Sequence, residues 1–335
     1  DVTLERARKY NVGLEFGLWN GLLTGNFDYF YESRTDILTQ YLTRPQWVGV
    51  VMAAGNLGKT KNQGVELELK HNNRIGKDFY YNVGFTFSHA RNEILDMDEP
   101  DAKTGYRKQE GHPINQYFGL ICDGFVTQAD LDNPNFPKST YGNVQVGDLK
   151  YRDMNGDGFI DDRDETFIGY SDIPENTYAL TLGAQWKGIG FSVMFQGVDH
   201  VSRFYDAEAM FAFVNGGKVK EHHLGRWNPA MSEEYNLANA TYPLLHYDSY
   251  GNHNQRQNSF FLKNGAFLRL KNIELSYSLP QSWIKKAAMK ECRIYVNASN
   301  LVTWDHLGGL TDPESNGSNR YPIMKTVNFG VNIQF

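Results

Sequence analysis

Thr326-Val327-Asn328-Phe329-Gly330-Val331-Asn332-Ile333-Gln334-Phe335 closes the chain, and its odd positions from Val327 onward are apolar while its even ones are polar or glycine. Strict alternation puts one apolar and one wet face on a strand. Its length is that of a tilted strand crossing a bilayer, ~9–11 residues. The last residue is an aromatic, Phe335.

The same period of two recurs upstream. Val12, Leu14, Phe16 and Leu18 alternate with small or polar residues, and an Asn20-Gly21 turn leads to Leu23, Phe27, Tyr29 and Tyr31. Val65, Leu67 and Leu69 alternate with Glu66, Glu68 and Lys70, and Val83, Phe85 and Phe87 with Gly84, Thr86 and Ser88. Tyr178 to Trp186, Phe191 to Phe195 and Ile294 to Ala298 repeat the pattern. From Phe267 to Leu279 the apolar parity changes near Asn272, which predicts a β-bulge or a barrel rim there.

The links between these runs alternate in length. Those after Trp19, His71, Trp186 and Leu279 are short, whereas 35–61, 93–175, 201–262 and 304–325 are long. Short turns at one end and long loops at the other are the mark of an outer-membrane barrel, with periplasmic turns and extracellular loops. A soluble sandwich has no reason to gather its long loops at one end, and no repeat of ~40–50 residues points to a propeller. The alternation alone does not say which face is inside. The expected fold class is therefore all-β: an antiparallel transmembrane β-barrel portion of about nine to eleven strands.

Composition agrees with this reading. The 335 residues include 20 Tyr, 21 Phe and 32 Gly, and mean hydropathy is −0.53. Aromatic- and glycine-rich chains of low hydropathy are typical of such barrels. The most apolar run, Trp47 to Gly55, is far too short for a membrane helix of ~20 residues. A net charge of −6 argues against a nucleic-acid partner. Cys122 and Cys292 are too few for a disulfide scaffold or a Cys-rich zinc site. The start at Asp1, without Met or an apolar leader, leaves two options: a removed leader, or a piece of something larger.

One motif carries chemistry. Asp153-Met154-Asn155-Gly156-Asp157-Gly158-Phe159-Ile160-Asp161-Asp162-Arg163-Asp164 has the spacing of a calcium loop. Asp153, Asn155, Asp157 and Asp164 would give side-chain oxygens, Phe159 its carbonyl, and Asp161 a direct or water-mediated oxygen. The expected ligand is a structural Ca²⁺, set against a plain solvated Asp/Gly turn. The loop resembles the dockerin-type variant, without evident flanking helices. No catalytic residues are expected: there is no HExxH, no GxSxG, no P-loop and no GxGxxG after a strand. His222-His223 and the scattered His112, His246 and His253 lack ligand spacing. Aromatics of the 201–262 link are candidates for ligand stacking or for loop packing: Phe204 or Tyr205, Phe211, Phe213, Trp227, Tyr235, Tyr242, Tyr247 and Tyr250.

Several blocks in order resemble the SusC/RagA-type TonB-linked outer-membrane transporters of Bacteroidetes. They are Gly55 to Glu66, Gly111-His112-Pro113-Ile114-Asn115-Gln116-Tyr117-Phe118-Gly119, Gly147-Asp148-Leu149-Lys150-Tyr151, Phe267 to Pro280, Tyr295 to Leu301 and the terminal Phe335. The resemblance implies a barrel of about 22 strands with an amino-terminal plug energised through TonB. It also implies a SusD-like lipoprotein lid, oligosaccharide or peptide as substrate, membrane lipid and lipopolysaccharide as surroundings, and an outer-membrane location. No plug or TonB box is read here, so residues 1–335 are expected to be the carboxy-terminal part of such a barrel. The rival readings are a passive porin or adhesin barrel and a secreted, calcium-stabilised glycan-binding module.

Overall fold

The computed structural model describes residues 2–41, 53–100, 105–204, 207–247, 253–315, 321 and 323–335. Among the described residues nine long strands form one sheet: β1 (Arg6–Leu18), β2 (Leu23–Thr39), β3 (Gly55–Ile75), β4 (Phe79–Asp96), β5 (Asn176–Trp186), β6 (Ile189–Asp199), β7 (Phe267–Ser278), β8 (Glu291–Asp305) and β9 (Thr326–Gln334). Each pairs antiparallel with the next in sequence, so β1 and β9 stand at the two margins.

Cross-strand register follows the alternation. Phe27, Leu67, Phe87 and Tyr178 form one continuous apolar row, and Asn26, Glu68 and Thr86 a polar row on the opposite face. The β5–β6 hairpin closes on two residues, Lys187 and Gly188, with φ of 47° and 89°. Left-handed backbone at both positions is the I′ geometry whose twist matches the flanking strands. The parity change in β7 is a bulge: Leu270 and Asn272 face consecutive residues of β6, which leaves Lys271 as the extra one.

β2 and β3 reach further than the sequence pattern suggested, through Thr39 and from Gly55, so both ends of the expected 35–61 link belong to the ladder. There is a physical reason for their length. On β4 the apolar face runs from Tyr81 to Phe87 and then turns polar at His89, Arg91 and Glu93. Glu93 pairs with Lys61 of β3 at 2.9 Å. The ladder continues beyond its apolar band into a region built for water.

Burial shows what covers the two faces among the described residues. Large apolar side chains on interior strands of the sheet lie open, among them Phe27 (39 %), Phe191 (41 %) and Leu275 (51 %). A soluble sandwich would bury this row under a second layer. The main buried cluster lies instead in the long connections: Leu120, Leu149, Tyr151, Phe211, Tyr242 and Phe261 are among its members. An uncovered apolar band beside a separate loop core suits a sheet whose outer face meets lipid.

Candidate functional site: the loop layer at the mouth of the sheet

The long connections pack on one another. Phe211 meets Phe261 edge-on at 5.0 Å, and Phe125 meets Trp227 edge-on at 5.5 Å. Gly147 sits against the Trp227 ring with φ of 93°, and a Cβ there would stand 2.3 Å from that ring, so only glycine fits. Most buried polar groups here are paired, as burial requires; the Nε atoms of Arg107, Arg203 and Arg256 are exceptions. Asp148, 1 % exposed, takes hydrogen bonds from Asn254 Nδ2 (2.8 Å) and Gln145 N (2.8 Å) and pairs with His246 Nε2 (2.5 Å). His253 joins Ser139 Oγ to the Leu149 carbonyl, and burial pushes its pKa down. His223 bonds the Met210 carbonyl, with its pKa likewise lowered by burial. These histidines fasten the loop layer; among the described residues no His, Cys, Asp and Glu side chains converge as a metal cage.

The aromatic candidates divide. Phe211, Trp227 and Tyr242 are buried, and Phe204 packs against the loop core. Tyr235 and Tyr247 are exposed, and Tyr247 lies 5.3 Å from the Phe213 ring. Tyr205 and Tyr250 lie outside the described residues.

Where β2–β4 end, the segment from Tyr106 to Phe118 folds against the wet face of the sheet. Thr60 and Ile94 are cross-strand partners on the same face as Glu66, Glu68, Thr86 and Ser88. Backbone bonds join Gly111 N to the Ile94 carbonyl and Ile94 N to the His112 carbonyl, both at 2.9 Å. Asn92 Oδ1 accepts from Ile114 N at 2.6 Å. His112 stacks on Phe167 at 3.8 Å, and Gln116 Nε2 donates to the Gly169 carbonyl. Between these walls lies a cavity of about 700 Å³, lined by Ile37, Ile94, Met97, Phe118 and Phe167 with Arg107 among them. Sequence reading had no signal for it, because its walls come from segments far apart in the chain.

The acidic loop braces this region. Asp153 accepts from Gly156 N (2.6 Å) and Gly158 N (2.8 Å), Asn155 from Asp157 N, and Asp157 from Phe159 N. Asp164 is fully buried and takes Met154 N and Asp161 N, both at 2.9 Å, which closes the loop on itself. Arg163 draws Asp157 (2.7 Å) and Asp161 (2.6 Å) together, and its guanidinium holds Asp161 below the usual carboxylate range. The Arg163 carbonyl accepts from Tyr106 Oη at 2.8 Å, and Thr166 Oγ1 donates to the Tyr106 carbonyl at 2.7 Å. The loop is thereby tied to the cavity wall. Arg163 saturates both Asp161 oxygens, whereas the Asp153 and Asp164 oxygens each accept one bond and keep a lone pair. Asp153, Asn155, Asp157, Asp161, Asp164 and the Phe159 carbonyl are oxygens of the kind a hard cation takes, but they are not gathered into a cage with Arg163 in place.

A second fastening was not foreseen. Arg269 of β7 is 1 % exposed and points to the wet face, where it reaches Thr303 Oγ1 (2.9 Å), Asp312 (2.8 and 2.7 Å) and Glu314 (2.5 Å). Lys271 adds a contact to Glu314 at 3.0 Å. The connection after β8 is thus folded in against the wall.

The family described as TonB dependent receptor-like, beta-barrel matches residues 3–301. Among curated relatives, TonB-dependent receptor P3 of Formosa agariphila is 25% identical over 99% of this chain and 34% of its own. TonB-dependent receptor SusC of Bacteroides thetaiotaomicron is 25% identical over 99% of this chain and 32% of its own. The chain spans about a third of the length of these relatives. Among solved structures, the RagAB peptide importer in its open-open state superposes with a TM-score of 0.74 at 24% identity, covering 100% of this chain and 35% of that one.

Proposed function

The chain belongs to the TonB-dependent receptor-like β-barrel family, on its SusC/RagA side, and we propose from this that it forms wall and mouth of an outer-membrane nutrient importer. The observation that carries the reading furthest is the uncovered apolar band of the sheet beside an independently packed loop layer. Exposed tryptophans support it: Trp19, Trp186 and Trp283 all stand at the short-turn end, and Trp304 near the long-connection end of β8. Such aromatics mark the two interfaces of a bilayer. The short turns then face the periplasm, the loop layer faces the medium, and lipid and lipopolysaccharide surround the band. Import draws on TonB through a plug and on a SusD-like lipoprotein lid, with oligosaccharide or peptide as cargo. The protein's part is passage and capture, not catalysis.

The test is made in the parent organism. The full-length protein should stay in the outer-membrane pellet through a carbonate wash. Its deletion should abolish growth on one class of oligosaccharide or peptide, and removal of TonB should do the same. Release by carbonate would sink the reading.

The acidic loop is assigned Ca²⁺, held by Asp153, Asn155, Asp157, Asp161, Asp164 and the Phe159 carbonyl. The cation would offset the crowded carboxylates and stiffen the loop. Arg163 now supplies part of that charge and competes with it. Loops of extracellular modules bind with Kd near 0.1–1 mM, so 10 mM Ca²⁺ should stabilise the folded protein by about 2.7 kcal/mol at the tight end. The unfolding temperature should rise with Ca²⁺ and fall with chelator. Asp153→Asn with Asp157→Asn should erase the difference, and Arg163→Gln should enlarge it. Identical melting with Ca²⁺ and with chelator would remove the assignment.

A further inference from the structure

The cavity at the end of β2–β4 has a composition that selects among cargo classes. We infer that it binds an apolar group bearing an adjacent carboxylate, such as the carboxyl end of a short peptide whose last residue is bulky and aliphatic or aromatic, with Arg107 receiving the carboxylate. This rests on the importer reading, which supplies a cargo for the cavity to meet.

Size and shape come first. A volume of about 700 Å³ lies within the range of small-ligand sites, ~300–1,000 Å³. The walls are preformed rather than loose. Residues 106–118 are stitched to β4 through Ile94 and Asn92, and to the acidic loop through Tyr106. A site that is already shaped loses less entropy when it binds.

Chemistry decides the class. Ile37, Ile94, Met97, Phe118 and Phe167 offer no hydrogen bonds. Thr60, Gln109 and Asn115 add polar groups to the lining, while the Gln116 amide is already used on Gly169 and His112. Against the apolar walls a sugar would leave hydroxyls unpaired, at about 1–3 kcal/mol for each buried one, so the part of a ligand seated there is favoured to be apolar. An aliphatic or aromatic side chain fits the same walls without that cost.

Arg107 supplies the anchor. Its Nε is buried and has no hydrogen-bond partner. Its guanidinium carbon lies 5.8 Å from the Phe118 ring centre, held on the aromatic wall of the cavity. The carboxylates that feel its charge, Asp161 and Glu165, accept their hydrogen bonds from Arg163 and Arg256. An orphaned charged donor inside a mostly apolar cavity is relieved by a ligand carboxylate, through a short charge-assisted bond. The neutral amide of the same ligand would not supply that bond.

The experiment uses the full-length protein in detergent with three probes: N-acetyl-Leu-Phe as free acid, its carboxyl-terminal amide, and maltotriose. Calorimetric titration should show the acid binding at least tenfold more tightly than the amide, and maltotriose not binding at this site. Arg107→Gln should remove the tenfold preference, and Ile94→Trp, which adds bulk to the apolar wall, should abolish binding of both peptides. Equal binding of acid and amide would overturn the inference. So would a preference that survives Arg107→Gln, or maltotriose binding lost in Ile94→Trp. Absence of any peptide binding by a protein that remains in the outer membrane and supports TonB-dependent growth would sink this inference alone. Failure of the carbonate wash would sink the importer reading whatever Arg107 does.

Discussion

Arg269→Ala is expected to destabilise the full-length protein by about 3–5 kcal/mol, the cost of breaking a buried ion pair by removing one partner. The guanidinium is almost wholly out of water, with five donors fixed in a plane. Those donors meet Thr303 on the neighbouring strand and both Asp312 and Glu314 from the connection after β8. Truncation leaves two partly buried carboxylates facing one another with only Lys271 between them. Arg269→Lys should recover little, because an ammonium cannot reproduce the fork to two acids at once. The triple change Arg269→Met, Asp312→Asn, Glu314→Gln should recover most of the loss, since it removes the stranded charge along with the pair. Unfolding temperature gives the first readout. Limited proteolysis gives the second, with new cleavage within 306–315 expected for Arg269→Ala. Melting within about 0.5 kcal/mol of the parent, the scale of an ordinary surface change, with unaltered cleavage would show that the clamp carries no weight.

That clamp also shows where sequence reading stops. The run Phe267 to Leu279 was legible as a strand, down to the parity change that becomes the bulge at Lys271, because period and parity are local properties. Nothing local says that Arg269 and Lys271 face a pair of acids more than forty residues onward. The one available signal was two basic residues spaced by two on the wet face, answered by two acids spaced by two, Asp312 and Glu314. The cavity was illegible for the same reason: Ile37, Ile94, Arg107 and Phe167 meet only through long-range stitches. The acidic loop was legible as an Asp- and Gly-rich turn, but not its internal counter-charge. Arg163 reads as filler in the spacing and becomes the counter-charge in three dimensions. Among the loop aromatics, sequence offered no way to separate Trp227 and Tyr242, which hold the loop core, from Tyr235 and Tyr247, which face outward. All are aromatic and all lie in polar surroundings; only the packing of distant segments distinguishes them.

The opposite faces of β4 should respond oppositely to the same substitution. Phe85 stands in the middle of the apolar band that runs from Tyr81 to Phe87, paired with Leu69 and Leu180. In a bilayer, Phe85→Arg places a guanidinium near the midplane at about 2–4 kcal/mol, falling to about 0–1 near the interfaces. Thr86, the next residue, points to the other face opposite Glu68. Thr86→Arg therefore meets water and a cross-strand carboxylate, a favourable opposite-charge pair of about 0.2–1 kcal/mol. Folded protein recovered from the outer membrane should drop sharply for Phe85→Arg and stay near the parent level for Thr86→Arg. Tyr81→Arg, at the edge of the band, should fall between them. A soluble fold would bury the apolar row under a second layer, so Phe85→Arg would be the damaging change there as well; the two senses separate on whether the folded parent sits in the membrane pellet or in the soluble fraction. All three variants add the same charge to the same strand, so the ranking reads which face is covered. Release of the folded parent into the soluble fraction by a carbonate wash, with the ranking intact, would refute the membrane sense of the sheet together with the importer built on it.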